Sequence, residues 1–217
     1  MADNDSRSGL VYFTRALLDW TTQLHASNDP ALQQAFDAPE RNGMPAIQLA
    51  PSEARLTELL LKLAGAKKVV EVGTLAGYSA LRMARALPPD GEVHTIEYDA
   101  RHAEVARKVI DTAGESKRGH VYVGRGVDVL PTLESKGLFD GIFIDADKES
   151  YDLYGRWAAK NLRKGGVLIG DNVFLFSQLL EDSPRAAAMR RFHEEAKAHF
   201  DTVCIPTPDG LLLGIKR

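Results

Sequence analysis

The feature that most constrains the fold is a regular alternation of short apolar segments and amphipathic segments that starts at Lys68. The predicted strands are 68–72, 92–97, 119–123, 140–145 and 166–170, and the predicted helices between them are 78–87, 100–114, 127–136 and 149–162. This rhythm predicts an α/β fold with parallel strands and right-handed helical crossovers. A helix over 184–199 then precedes strands 202–206 and 211–216, and the Pro208–Gly210 turn signal between these strands predicts an antiparallel hairpin.

Three helices are predicted before the first strand of the sheet. They cover 10–26, 30–37 and 51–64, with a loop over 38–48. The first carries Leu10, Phe13, Leu17 and Trp20 on one stripe, which suggests a dimer contact, with core packing as the alternative. We expect a single domain over 1–217, with residues 1–9 disordered, a helical cap over 10–66 and an α/β core over 67–217.

The composition limits the classes of partner. The chain has 217 residues, of which 44% are hydrophobic and 26% charged, and a net charge of −3, so nothing favours a nucleic acid or an anionic membrane surface. The lone Cys204 excludes an internal disulfide, and its apolar surroundings predict an inert core residue. We find neither a membrane-spanning run nor the apolar core of a signal peptide, so the expected location is the cytoplasm.

The stretch from Val69 to Ala80 joins the first predicted strand to the next helix through two glycines, Gly73 and Gly77. Such turns often hold a nucleotide-like ligand, because glycine permits close approach and the helix N-terminus has unpaired N–H groups. The spacing is G-x-x-x-G and not the G-x-G-x-x-G of dinucleotide folds. Glu71 before the turn argues against a pyrophosphate and favours a cationic ligand such as S-adenosylmethionine. A tight turn without a ligand is the alternative.

Acidic residues end the other predicted strands. Glu97 stands where a carboxylate grips a ribose diol in nucleotide-type sites, although a solvated strand-end side chain is the alternative. Asp145 and Asp171 follow strands that we expect to be neighbours, and Asn172 adds an amide oxygen. Two carboxylates and an amide suit Mg²⁺, with Mn²⁺ or Ca²⁺ as further candidates, and the lack of His or Cys argues against zinc. A loop with turn-forming side chains and no metal is the alternative.

Lys148 lies at the start of the helix after Asp145, where a cation opposes the helix dipole. Near a divalent metal, the positive electrostatic field would favour the neutral form of the Lys148 amine, which could then act as a general base. A surface lysine paired with Asp147 or Glu149 is the alternative.

Four stretches, Glu71–Ser79, Thr95–Glu97, Phe143–Lys148 and Gly170–Val173, together resemble the cation-dependent class I O-methyltransferases, the family of catechol and caffeoyl-CoA O-methyltransferases. The resemblance runs from about Met44 to Lys216. It implies a Rossmann-like fold with a seven-stranded sheet, helices on both faces and an antiparallel last strand, and it favours a homodimer.

The resemblance also assigns site residues. It implies Asp145, Asp171 and Asn172 as metal ligands and Lys148 as the base. The cofactor site that it implies comprises Glu71, Gly73, Tyr78, Ser79, Glu97 and Asp145. The segment 124–127, near the adenine in this family, departs from the residues usual there. The apolar segment 174–182, which borders the acceptor, differs from the plant branch.

The hypothesis is therefore a Mg²⁺-dependent transfer of a methyl group from S-adenosylmethionine to a hydroxyl of a catechol-like small molecule, with Lys148 as general base. Methyl transfer to RNA or to a metabolite other than a catechol is the main alternative. A nicotinamide-binding oxidoreductase is disfavoured by the glycine spacing. A non-catalytic cofactor-binding scaffold is the remaining alternative.

Overall fold

The structure is a computed structural model that describes residues 14–217. The helices within this range are α1 Arg15–His25, α2 Pro30–Arg41, α3 Pro51–Leu63, α4 Tyr78–Ala86, α5 Ala100–Thr112, α6 Gly126–Leu133, α7 Tyr151–Asn161 and α8 Pro184–His199. The strands are β1 Lys68–Val72, β2 Glu92–Glu97, β3 Gly119–Val123, β4 Phe139–Ile144, β5 Leu162–Asp171, β6 Phe200–Ile205 and β7 Leu211–Lys216. Two 3₁₀ turns, Glu134–Lys136 and Lys148–Ser150, precede β4 and α7.

The strands form one seven-stranded sheet in the order β3-β2-β1-β4-β5-β7-β6. Strands β1 to β5 are parallel, and β7 runs antiparallel to both β5 and β6. The predicted fold class is confirmed. Strand order reverses between β1 and β4, and in open α/β sheets a ligand crevice forms at the carboxyl ends of the strands flanking such a point.

The core consists of one apolar layer on each face of the sheet, because successive side chains of a strand point to opposite faces. Val70 and Ile142 belong to the layer with α6, α7 and α8, whereas Val69 and Phe143 belong to the layer with α2, α3 and α4. Helices on both faces leave the carboxyl edge of the sheet for polar side chains. No helix among residues 14–217 combines the length and the apolar character that crossing a bilayer needs.

Helix α2 begins as predicted and ends later. The side chain of Asp29 accepts hydrogen bonds from the backbone N–H groups of Ala31 and Leu32, so it caps the N-terminus. The predicted end at Asp37 is wrong, since the helix continues to Arg41 with Pro39 in its last turn. The backbone and side-chain N–H groups of Asn42 both bond to the Ala38 carbonyl and hold this turn closed.

Helix α1 lies on the surface of the described part of the chain. It has no buried residue, and Leu17 and Trp20 are 47% and 61% exposed, so the alternative that this stripe packs into the core is wrong for these two residues. The hydroxyl groups of Thr22 and Ser52 lie 2.7 Å apart and connect α1 to α3. Residues 1–9, Leu10 and Phe13 lie outside the described residues, so the predicted start of the helix and the disorder before it stay predictions.

The assignment of Cys204 to the core is wrong. It is exposed, because β6 is the edge strand of the sheet and buries only its first residue, Phe200. An apolar run does not show which face of an edge strand is covered. Strand β5 also begins at Leu162, earlier than the predicted 166–170 segment, and continues past Gly165 with its positive φ of 74°.

Candidate active site

The glycine turn after β1 lies directly against the end of β4. Gly73 has a φ of 98°, and a Cβ atom there would stand 2.0 Å from the carbonyl oxygen of Asp145. The N–H group of Asp145 in turn donates to the carbonyl of Val72 at 2.9 Å. Any residue other than glycine would separate the two strand ends. The predicted glycine turn and the predicted metal ligand Asp145 therefore lie together at the strand-order reversal.

Glu71 is fully buried beneath this turn. Its Oε1 accepts from the hydroxyl of Ser79 at 2.5 Å, and its Oε2 accepts from the hydroxyl of Thr95 at 2.5 Å. Burial raises the pKa of Glu71 from 4.5 to about 8, and the nearby charges of Asp145 and Glu97 raise it further. Its partners within the described residues are hydroxyl groups, so a cationic ligand would supply a counter-charge that the protein itself does not place there.

Glu97 anchors the same turn. Its Oε2 accepts from the backbone N–H groups of Thr74 at 3.2 Å and Leu75 at 2.7 Å, and its Oε1 accepts from the N–H of Asp99 at 2.9 Å. Each carboxylate oxygen can accept more than one hydrogen bond, so Glu97 retains capacity for a ribose diol. Sequence reasoning placed Glu97 at the ligand but missed that it also shapes the loop that faces the ligand.

The side chain of Tyr78 is enclosed by the N-terminal helices. Its hydroxyl donates to the Oδ1 atom of Asn28 at 2.8 Å, and its ring packs edge-on against Phe36 with centroids 5.2 Å apart. Tyr78 and Ser79 begin α4, where backbone N–H groups have no partner within the helix. The predicted cofactor contact of Tyr78 stays a prediction, and these backbone groups are the natural route for it.

Asp145 follows β4, and Asp171 is the last residue of the adjacent parallel strand β5. The ends of the two strands are in register at Ile144 and Gly170. Asp171 is buried, and its Oδ1 atom has no hydrogen-bond partner among the described residues. Burial, the charge of Asp145 and then that of Glu53 raise the pKa of Asp171 from 3.8 to about 7. A buried carboxylate with a free oxygen beside a second carboxylate fits a divalent cation.

Residues 14–217 contain no cluster of three His, Cys, Asp or Glu side chains placed to hold a metal ion. A cation in this crevice would therefore rely on Asp145, Asp171 and the amide oxygen of Asn172. Asn172 has a left-handed backbone, with a φ of 54°, in the turn that leaves β5. Asparagine tolerates this conformation better than most residues, which gives it a structural role at the position as well.

Lys148 is buried at the same end of the sheet, with 6% of its surface exposed. Its Nζ atom donates to Oδ1 of Asp145 at 2.9 Å and to the hydroxyl oxygen of Tyr151 at 2.7 Å. The alternative of a surface lysine paired with Asp147 or Glu149 is therefore wrong. Asp147 instead accepts from the hydroxyl of Tyr154 at 2.5 Å.

Tyr151 is the residue that positions Lys148, and sequence reasoning missed it. Its hydroxyl lies 3.0 Å from the carbonyl oxygen of Ile144 and 2.9 Å from that of Asp171, so it bridges the ends of β4 and β5. Burial raises the pKa of Tyr151 well above its ordinary value, so the hydroxyl keeps its proton and donates it to a carbonyl. The i,i+3 spacing of Lys148 and Tyr151 was the available signal.

A further acidic residue, Glu53, faces this crevice from the first turn of α3. Asp145 and Asp209 lie close enough for their charges to raise the pKa of Glu53, although burial is the larger cause. Asp209 belongs to the turn between β6 and β7 and accepts from the N–H of Phe176 at 2.7 Å. This turn therefore fixes the apolar segment after Asn172. No motif marks Glu53, because α3 is remote from the strand ends along the chain.

This strand order, with acidic side chains at the carboxyl ends of β1, β2, β4 and β5, defines a class I methyltransferase fold. Residues 22–217 match the family model described as O-methyltransferase, and the chain belongs to that family.

Named relatives and a solved structure agree with the family. The chain is 41% identical to a catechol O-methyltransferase of Niastella koreensis (91% of this chain, 95% of that one) and 40% identical to one of Mycobacterium tuberculosis (93% and 94%). An O-methyltransferase from Bacillus cereus in complex with SAH superposes with a TM-score of 0.88 at 31% identity, over 93% of this chain and 97% of that chain. The protein is an S-adenosylmethionine-dependent O-methyltransferase.

Proposed function

We propose that this enzyme methylates one hydroxyl of a vicinal dihydroxyphenyl small molecule with the help of a divalent cation. The observation that carries the proposal is the convergence of the Lys148 amine, the Asp145 carboxylate and the unpartnered Oδ1 of Asp171 beside the Gly73 turn. The names of the two catechol O-methyltransferase relatives support the acceptor class.

In this proposal the glycine turn binds S-adenosylmethionine. Glu71, whose hydrogen-bond partners among residues 14–217 are hydroxyl groups, would pair with the ammonium group of the methionine part. The N–H groups of Tyr78 and Ser79 would face the carboxylate of the same ligand. Glu97, already fixed by backbone N–H groups, would accept from the ribose hydroxyls. Gly73 would allow the backbone to approach the ligand, and Asp145 would complete the pocket from β4.

Asp145, Asp171 and Asn172 would hold the cation, with Mg²⁺ as the first candidate because all three offer oxygen. The chemistry that a bound cation would supply is a lower pKa of the acceptor hydroxyl. Asp171 would serve this role best, since its buried oxygen is not committed to another group. Mn²⁺ and Ca²⁺ share the ligand preference and are expected to substitute to different extents.

Lys148 would take the proton from the acceptor hydroxyl. The oxygen would then accept the methyl group as the methyl–sulfur bond breaks, and S-adenosylhomocysteine would leave. The hydroxyl of Tyr151 and Oδ1 of Asp145 hold the amine at the strand ends, so it does not swing into solvent. The buried Leu175 and the Phe174 ring packed against Gly210 place apolar groups beside Asn172. Such groups keep water away from the reacting atoms.

The test is methyl transfer to 4-methylcatechol from radiolabelled S-adenosylmethionine, with and without a chelator. We expect the chelator to abolish turnover and Mg²⁺ to restore it, and Asp171→Asn to lower turnover at low Mg²⁺. Lys148→Met should reduce kcat by about 10²–10⁴-fold, as expected for the loss of a general base. The matched control is Asp90→Asn. Asp90 is exposed and lies before the amino end of β2, away from the carboxyl ends of the strands. Full activity in the chelator and in Asp171→Asn would refute the role of the cation, and labelling of RNA but not of catechols would refute the acceptor class.

We also propose that α1 contributes to a homodimer. Its exposed apolar side chains form a stripe that a second copy of the chain would shield from water: Leu17, Trp20 and Leu24. Trp20→Asp should lower the mass measured by light scattering from that of a dimer towards that of a monomer. A wild-type monomer at micromolar concentration would contradict this part of the proposal.

A further inference from the structure

The acceptor side of the crevice holds more carboxylates than a cation and a base require. Asp145 and Asp171 are the proposed cation ligands, but Glu53 and Asp209 lie in the same electrostatic neighbourhood. The charges of Asp145 and Asp209 both act on Glu53, and the charge of Glu53 acts on Asp171. Three separate elements, α3, the strand ends and the β6–β7 turn, therefore direct acidic groups to one place.

Buried polar atoms without a partner gather at the same place. Among residues 14–217 they include Oδ1 of Asp171 and Oδ2 of Asp209. The hydroxyl of Thr207 lies beside them and bonds to the Glu53 carboxylate. Asp171 is only 4% exposed, so its free oxygen is enclosed by protein. Buried polar atoms in native proteins nearly always have partners, and a cluster of unpaired ones marks a place where a ligand supplies them.

Asp209 is held in a fixed position. Its Oδ1 accepts from the N–H of Phe176, and its backbone carbonyl accepts from the N–H of Phe174 at 3.0 Å. Leu175, Phe176 and Ser177 all have left-handed backbones, with φ of 55°, 54° and 67°, a conformation that such residues rarely adopt in succession. The second oxygen of Asp209 is therefore a fixed part of the crevice and not a mobile surface charge.

The charges of this neighbourhood do not balance. Lys148 is the basic side chain in contact with these groups within the described residues, and it is committed to Asp145. A divalent cation would offset Asp145 and Asp171. Together with Lys148, three positive charges would then meet four carboxylates, so one net negative charge would remain at Glu53 and Asp209, the two acids that the proposed cation does not bind.

We infer that the enzyme selects its acceptors by charge: it favours dihydroxyphenyl compounds with an ammonium or another hydrogen-bond-donating substituent and disfavours those with a carboxylate or a coenzyme A thioester. The inference rests on the proposed function. Glu53 and Asp209 would attract a cationic substituent and repel an anionic one, and the hydroxyl oxygen of Thr207 would accept from a donor. Because specificity is a difference between two affinities, repulsion of the anionic acceptor counts as much as attraction of the cationic one.

The test compares three acceptors of similar shape: 4-(2-aminoethyl)catechol, which is cationic, 4-propylcatechol, which is neutral, and 3,4-dihydroxyphenylacetate, which is anionic. The readout is the ratio of kcat/KM values, which does not depend on the fraction of active enzyme. We expect the wild type to prefer the cationic over the anionic acceptor by at least about tenfold, since each unpaired charge at such a site contributes on that order. Glu53→Gln and Asp209→Asn should each reduce this ratio several-fold, whereas Glu53→Asp should retain most of it.

Asp90→Asn removes one negative charge away from the carboxyl ends of the strands and should leave the ratio unchanged. An equal or reversed ratio in the wild type would overturn the inference, as would a ratio that neither variant alters. If Asp209→Asn fails to fold, the Glu53 variants and the wild-type ratio still decide. If no acceptor is methylated, the proposed function fails, and calorimetric binding of the same three compounds to enzyme with SAH and Mg²⁺ still tests the charge preference.

Discussion

Replacing Glu71 by glutamine should make the ligand-free enzyme more stable at alkaline pH while weakening its affinity for the cofactor. Glu71 is fully buried, and its pKa is raised from 4.5 to about 8, mainly by burial. Between these two pH values the unfolded chain loses the proton that the folded protein keeps. The folded state then binds more protons, so its stability falls as the pH rises from 4.5 to about 8. Glutamine has no proton to lose and avoids this loss.

The magnitude follows from the pKa difference. At 1.36 kcal/mol per pH unit, the whole change corresponds to roughly 5 kcal/mol, and the part between pH 5.5 and pH 8 to roughly 3 kcal/mol. For a protein of this size, 1 kcal/mol shifts Tm by about 2–4 °C. The wild type should therefore lose roughly 6–12 °C more than Glu71→Gln over this pH interval. Other titrating groups contribute equally to both proteins and cancel in the comparison.

The assay is differential scanning calorimetry of both proteins at pH 5.5, 7 and 8, in chelator and without ligand. Calorimetric titration with SAH measures the functional cost at the same pH values, because glutamine cannot pair with the ammonium group as a carboxylate does. Parallel Tm profiles for the two proteins would refute the raised pKa. Unchanged affinity for SAH in the variant would refute the contact between Glu71 and the methionine part.

Three further predictions concern residues with different duties. Tyr151→Phe should lower kcat about tenfold or more and change the KM for S-adenosylmethionine little, because it removes a hydrogen bond to Lys148 and leaves the cofactor contacts intact. A rise in this KM as large as the fall in kcat would contradict the prediction. Gly73→Ala should yield little folded protein by circular dichroism, since its Cβ atom would overlap Asp145, and normal folding would show that the turn can shift. His94, whose pKa is lowered to about 4 by burial, should make the protein less stable as the pH falls from 6.5 towards 4, and His94→Gln should flatten this part of a pH–Tm profile.

Much of the fold follows from local patterns. The first three strands lie over the predicted residues because short apolar segments are bounded there by turn-forming residues. Boundaries failed where tertiary contacts decided them, as at Pro39, which the last turn of α2 accommodates. The exposure of Cys204 could not be predicted, because the exposure of a side chain on an edge strand depends on which elements pack against that strand.

Site residues could be predicted from the sequence where a motif places them at the end of a strand. Asp145 follows β4 and Asp171 ends β5, and the register of these neighbouring strands brings the two side chains together. Glu53 and Thr95 were not predicted because their partners are brought close only by the folded sheet. Tyr151 was not predicted although its i,i+3 spacing from Lys148 is local. Thr95 lies in the middle of β2, and its alternating, partly apolar strand gives no hint that its hydroxyl bonds to Glu71.

The acidic residues of this site both stabilise the fold and face the proposed ligand. Substituting one of them therefore affects two properties, stability and binding, which must be measured separately. Glu97 is bonded to three backbone N–H groups, so Glu97→Ala would release the turn at Thr74 and Leu75 as well as remove the carboxylate. A loss of activity in that variant would not separate the two roles. Glutamine keeps one oxygen for the N–H groups of Thr74 and Leu75 but sets an NH2 group against the N–H of Asp99, so it disturbs the turn less than alanine does. Thermal stability of both variants measures the loss of the turn, and the loss of cofactor affinity in the glutamine variant beyond that measures the contribution of the carboxylate to ribose recognition.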